Sequence, residues 1–365
     1  MELATIIACY RQALETTYAS GLLPSHHAAM DAILRCRTSA TAESLFRCSA
    51  CGQLEWHPHS CGHRSCPQCQ NHEATQWLER QREKLLPVDY FLVTFTLPAE
   101  LRPLAWSHQR AVYAAMFAAA SETLKAFGLN PKHLGADIGM TAVLQTNSRR
   151  LTYHPHLHVI VPGGGVDKRQ RVWKRLKGRF LFNEFALATV FRGKMLHHIE
   201  KAGLYAPATA PRKWVVDCTH VGRGEPALEY LSRYLYRGVI SNNNILSNHD
   251  GQVTFQYTVS KTGETRTETL PGVKFLWRVI QHVLPRGFHR VRSYGFLHHN
   301  ARKTLKLVQL ILQVFIAPRR EKEKLSFRCS ACGEPMILTT VMRLPGQRRK
   351  PSAISHAPPS AMPAG

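Results

Sequence analysis

Tyr153-His154-Pro155-His156-Leu157-His158-Val159-Ile160-Val161-Pro162-Gly163-Gly164-Gly165 sets two imidazoles at i and i+2 of an apolar run that ends in glycines. The run reads as a strand. Successive side chains of a strand leave opposite faces, so His156 and His158 share one face of a sheet while Leu157 points to the other. Two imidazoles so placed on a rigid element can share a divalent ion, and His154 has the parity to extend the row. Immediately upstream, residues 138–145 read as a second strand and residues 147–150 as a polar turn. So short a link implies an antiparallel hairpin, which lays Gln145 near His156 as a carbonyl-oxygen candidate for a third ligand.

Further out, residues 90–98 are aromatic and β-branched and read as a buried strand, and residues 101–127 carry a long alanine-rich helical pattern. Residues 172–203 read as mainly helical and basic, residues 213–218 as a strand, and residues 226–238 as a helix opened by Pro226 and closed by Gly238. Two strands follow at 253–259 and 265–270, then helices at 274–284 and 305–316. Tyr230 and Tyr234 lie four apart and so stack on one face of their helix.

The chain has 365 residues, long enough for two or three units. Its 48 Lys and Arg against 24 Asp and Glu give +24, spread along the sequence, which points to a polyanionic partner such as nucleic acid. A membrane is not expected, because no run of about eighteen apolar residues occurs. The N-terminus lacks a signal sequence, so a cytoplasmic protein is expected.

Six of the ten cysteines sit in Cys-x-x-Cys pairs, the spacing of metal knuckles rather than disulfides. Cys48, Cys51, Cys66 and Cys69 are expected to close a tetrahedral cage on structural Zn²⁺, with Cys61, His59 and His63 inside the loop as alternative ligands. Such a closed site folds and binds but does not catalyse. Phe327-Arg328-Cys329-Ser330-Ala331-Cys332-Gly333 repeats residues 46–52 letter for letter. It supplies two ligands and needs partners from elsewhere, with His298 and His299 as candidates. Arg64 among the loop histidines, Lys174 and Arg175 in the basic stretch, and Arg233 and Arg237 beside the tyrosines are candidate DNA contacts.

These parts fit one task, the breaking and rejoining of single-stranded DNA. A divalent ion on His156 and His158 would polarise the phosphodiester, and a tyrosine hydroxyl would attack phosphorus and keep the bond energy in a phosphotyrosine ester. The His156-Leu157-His158 strand, the Tyr230-x-x-x-Tyr234 pair and the upstream knuckles together resemble the two-tyrosine rolling-circle transposases of bacterial insertion sequences. That family belongs to the His-hydrophobic-His endonucleases. The resemblance covers roughly residues 45–300 and implies an α+β fold, an antiparallel five-stranded sheet with helices on its faces, plus a small N-terminal zinc-knuckle domain.

It further implies His156, His158 and Gln145 as ligands of Mg²⁺ or Mn²⁺ and Tyr230 and Tyr234 as nucleophiles that leave a 5′-phosphotyrosine and a free 3′-OH. The partners implied are element ends and target DNA, with a homo-oligomer compatible. The corresponding division is N-terminal helices (1–45), zinc domain (46–72), connecting helix (73–88), nuclease core (89–300), C-terminal helix and knuckle (301–342) and a disordered basic tail (343–365). A plasmid replication initiator or relaxase, a non-enzymatic zinc-ribbon DNA binder and a metallohydrolase that uses water are the alternatives.

Overall fold

The computed structural model describes residues 1–69, 77–176, 181–224, 239–259, 262–315 and 327–342. It has two units, Met1–Leu34 with Gly62–Glu321, and Arg35–Cys61 with Lys322–Gly365. The smaller unit thus draws on both ends of the sequence, whereas residues 46–72 alone were expected to supply it. Its sheet sets β1 (Glu43–Cys48) between β2 (Leu54–Pro58) and the late strand β13 (Met336–Met342), both antiparallel to it.

The larger unit is organised on an antiparallel sheet in the order β12 (Val291–Tyr294), β4 (Met140–Asn147), β5 (Tyr153–Pro162), β3 (Asp89–Thr96), β8 (Val216–Arg223). The fold is therefore α+β with five antiparallel strands, and the histidine strand β5 is central. Strand alternation divides its residues as the sequence requires. Leu157, Val159 and Val161 go into the main core with Phe95, Leu144 and two helices numbered in chain order as α4 (Gln109–Leu129) and α5 (Glu184–Lys201). Earlier come α1 (Leu3–Thr17), α2 (Pro24–Arg35) and the short α3 (Arg102–Ser107). Ala115, Ala119 and Ala120 of α4 are buried, and their small side chains let the helix lie close on the sheet. Each fully buried phenylalanine here, such as Phe117 or Phe191, contributes about 1.5–3 kcal/mol of transfer free energy.

On the opposite face, Val143 and Ile160 pack with Trp77, Phe296 and Val308, while the same face ends in His158 and His156. The sheet is thus apolar at one end of this face and polar at the other. That division leaves the imidazoles buried at the rim of a packed core, where their positions are held.

Two local readings change. The segment expected to be helical from 172 begins as β7 (Val172–Arg175), paired with β6 (Gly164–Asp167), and the helix starts only at Glu184, capped by Asn183 Oδ1 accepting from Ala186 N at 2.9 Å. The glycines after β5 explain the pairing: a Cβ on Gly164 would press into the Trp173 ring. The basic segment around 286–292 feeds β12, an edge strand. It turns at Gly295, where φ is +60° and an added Cβ would meet the Ile138 carbonyl oxygen. A further sheet joins β9 (Ile245–His249), β10 (Gln252–Thr258) and β11 (Thr265–Pro271), of which the first was not foreseen. The remaining helices are α6 (Gly272–Ile280) and α7 (Arg302–Ile311). No described helix is long and apolar enough to cross a membrane.

Apart from the pair on β5, two histidines in this unit are buried as neutral rings. His282 donates from Nε2 to the Leu151 carbonyl and accepts at Nδ1 from Thr146, each at 3.1 Å, and burial pushes its pKa down to about 4, with Arg290 and His26 acting in the same direction. Burial also brings His26 to about 4, helped by His27. Free histidine titrates near 6.5, so as the pH falls the unfolded chain takes up protons first. The stability these residues allow is therefore complete above about pH 6.5 and lost towards pH 4, by at most about 3 kcal/mol each. We expect the urea midpoint to fall between pH 7.5 and 5, and His282→Gln to flatten the dependence. An unchanged midpoint would mean that both rings gain partners when protonated.

Candidate active site

Strand register assembles the site. Gln145 on β4 lies opposite His156, and Thr94 on β3 lies opposite His158. His156 Nε2 is 3.0 Å and His158 Nε2 3.2 Å from the same atom, Gln145 Oε1. Each ring is steadied at its other nitrogen: His156 Nδ1 is 2.7 Å from the His154 carbonyl oxygen, and His158 Nδ1 is 3.1 Å from Thr94 Oγ1. A carbonyl only accepts, so His156 carries its proton on Nδ1 and turns a lone pair at Nε2 towards Gln145. With the amide oxygen on that side, two acceptors face each other at 3.0 Å. A cation held by both would relieve that opposition.

The rings are neutral at physiological pH. Burial lowers His156 to about 4 and His158 to about 3, and the Arg290 charge pushes both the same way. Arg290 is itself oriented by Nε donation to the Leu144 carbonyl at 3.0 Å. Neither Thr94 nor Arg290 was singled out by sequence reading. Thr94 had a signal, a hydroxyl on the histidine face of an otherwise apolar strand, while Arg290 was one cation among several.

Other expected site residues divide. His154 shares the parity of the row, but its Nδ1 accepts from Arg102 at 2.7 Å and so the ring takes no part in the convergence at Gln145. Arg64 is turned into the fold, donating to the carbonyls of Leu284, Pro285 and Phe288 at 2.7–2.8 Å, which withdraws it from the expected phosphate role. Lys174 reaches the Gly135 carbonyl and the Asp167 carboxylate, both at 2.9 Å. Arg175 is exposed. Tyr230, Tyr234, Arg233 and Arg237 lie outside the described residues.

The cysteines pair differently from expectation. Cys48 and Cys51 converge with Cys329 and Cys332, all four ligand atoms within 4.8 Å of one another. Four thiols complete a tetrahedral set, so the cage expected from Cys48 and Cys51 with Cys66 and Cys69 does not form. The reason is the sheet: β13 is hydrogen-bonded to β1 in the register Cys48 opposite Met336, which brings the second knuckle beside the first. The Cys48 thiol is pulled down to about 6, chiefly by the backbone N–H of Cys51. His59, offered as an alternative ligand, instead meets Ser44 Oγ at 2.6 Å, and His63 accepts at Nδ1 from Ser65 N at 3.2 Å. His298, a candidate partner for the second knuckle, accepts from Asn300 N at 3.2 Å.

Residues 139–304 match the family described as "Putative transposase" (Y2_Tnp), and residues 6–97 match the "Transposase zinc-binding domain" of the IS91 type. A Sinorhizobium fredii protein (strain NBRC 101917 / NGR234) named "Putative transposase y4qJ" is 36% identical over 331 residues, covering 84% of this chain and 83% of that protein. The "Transposase for insertion sequence element IS801" of Pseudomonas savastanoi pv. phaseolicola is 27% identical over 343 residues, covering 85% of this chain and 82% of that one. No solved structure matches. With the zinc-binding stretch placed ahead of a core that contains the paired histidines, the chain belongs to the IS91 family of insertion-sequence transposases.

Proposed function

We propose that this transposase nicks and rejoins single-stranded DNA at the ends of its element by rolling-circle chemistry, through 5′-phosphotyrosine intermediates on Tyr230 and Tyr234. The observation that carries the reading is the convergence of His156 Nε2, His158 Nε2 and Gln145 Oε1. Ligands about 2.1 Å from an octahedral ion lie about 3.0 Å apart along each edge, close to the 3.0 and 3.2 Å found. Two neutral imidazoles and an amide oxygen suit Mg²⁺ or Mn²⁺, which when bound would polarise the scissile phosphate and screen its charge.

The chain's own residues do the rest. His154 and Thr94 hold the two rings with Nε2 forward, and Arg290 adds a fixed positive charge beside them, favourable for a phosphate. A tyrosine oxygen bonds to phosphorus as the P–O3′ bond breaks. The phenolic proton passes to solvent and the 3′-oxygen takes one up. In the reverse step a 3′-hydroxyl attacks the ester and the tyrosine is restored, so rejoining needs no nucleotide cofactor.

The test is incubation with labelled single-stranded DNA bearing the element's ends, resolved under denaturing conditions. A covalent protein–DNA band that requires Mn²⁺ or Mg²⁺ and disappears with chelator is expected. DNA that is bound but never attached under any divalent ion would remove the tyrosine reading.

A further inference from the structure

The heptapeptide that occurs twice also folds twice the same way. In the first copy Cys48 N donates to Gln53 O at 2.8 Å and Gly52 N to Cys48 O at 3.3 Å, with Gly52 at φ +76°. In the second, Cys329 N donates to Glu334 O and Gly333 N to Cys329 O, both at 2.9 Å, with Gly333 at φ +77°. Each is a zinc knuckle with its turn glycine. The two copies face each other across near-symmetrical contacts: the rings of Phe46 and Phe327 have centroids 4.7 Å apart, Ser49 Oγ donates to Pro335 O at 3.1 Å, and Ser330 donates to Glu55 from both N and Oγ at 2.9 and 2.8 Å.

The sulfurs decide the chemistry. Cys48–Cys332, Cys51–Cys329 and Cys51–Cys332 are separated by 3.4, 3.6 and 3.6 Å. A disulfide needs about 2.05 Å. Zn–S bonds of about 2.3 Å at tetrahedral angles put neighbouring sulfurs about 3.8 Å apart. We infer that Cys48, Cys51, Cys329 and Cys332 form one structural zinc site, to which the C-terminal repeat contributes half the ligands. This extends the zinc-binding function beyond the stretch matched at 6–97, since Cys329 and Cys332 lie outside both matched segments. On binding, each thiol gives up its proton to solvent and no redox change occurs.

The full chain, purified under reducing conditions, would be assayed for zinc released by a mercurial into a colorimetric chelator and, after Co²⁺ exchange, for the thiolate-to-cobalt absorption near the ultraviolet. Cys329→Ser/Cys332→Ser should lose about one equivalent of zinc per chain. Cys48→Ser/Cys51→Ser should lose the same equivalent, and the four-site variant should lose no more than either pair. The metal-dependent DNA adduct reports separately whether the nuclease core remains folded. Zinc content and cobalt spectrum unchanged in Cys329→Ser/Cys332→Ser would overturn the assignment, as would losses that add in the four-site variant.

Discussion

A chain carrying Tyr230→Phe and Tyr234→Phe together is expected to form no covalent adduct with single-stranded DNA, a loss on the order of 10⁴-fold or more, while still binding it. Phenylalanine keeps the aromatic ring and removes only the oxygen that would bond to phosphorus. Each single variant should keep some attachment, because the four-residue spacing expected to bring both hydroxyls to one helix face leaves the second as a substitute nucleophile. The phenol is a poor nucleophile at its ordinary pKa of about 10, so attachment should rise with pH through the neutral range. If the double variant still cleaves and leaves a free 5′-phosphate, water is the nucleophile and the protein is a metallohydrolase. The result is read on the same denaturing gel, beside a filter-binding measurement that shows whether DNA is held.

The second large effect is expected at the ligand strand. His158→Ala should lower cleavage by about 10³-fold and raise the Mn²⁺ concentration needed, with little change in fold. The separation of the two consequences follows from position. His158 is 9% exposed at the polar rim of its face, and within the described contacts its loss gives up the hydrogen bond to Thr94 and the contact with Gln145, a cost of about 1–2 kcal/mol. His156→Ala should behave alike. Thr94→Val, which removes only the group that orients His158, should weaken metal affinity by 10- to 100-fold without abolishing cleavage at saturating ion. Circular dichroism and a metal titration of cleavage distinguish these outcomes: a variant that is active at ordinary Mn²⁺ would mean that His158 serves the core and not the chemistry.

What could be read in the residues was whatever depends on near neighbours. The parity of His156 and His158 and the facing of Gln145 follow from one strand and one short hairpin, and both are visible in a dozen letters. Thr94 enters from a strand that the chain reaches about sixty residues earlier, and nothing local connects it to His158. Residues 172–175 looked helical because Lys174 and Arg175 lead into a long basic stretch of helical pattern; pairing with β6, where Gly164 leaves room for the Trp173 ring, makes them a strand. The cysteines show the same limit most clearly. Spacing favours joining adjacent knuckles, yet the partner of Cys51 is 278 residues away, chosen by the pairing of β13 with β1.

That separation has a consequence in time. During synthesis β1 and the first knuckle leave the ribosome long before β13 exists. At about 5–20 residues per second, the 278 positions between Cys51 and Cys329 amount to roughly 14–56 s in which one long edge of β1 has no strand beside it. Throughout that interval the early thiols are nucleophilic and the strand edge is open to any passing chain. The nascent protein is therefore most vulnerable to oxidation and to misassociation before β13 has been made, and its yield in cells should respond to the supply of reductant and chaperones during that window rather than to the stability of the finished fold.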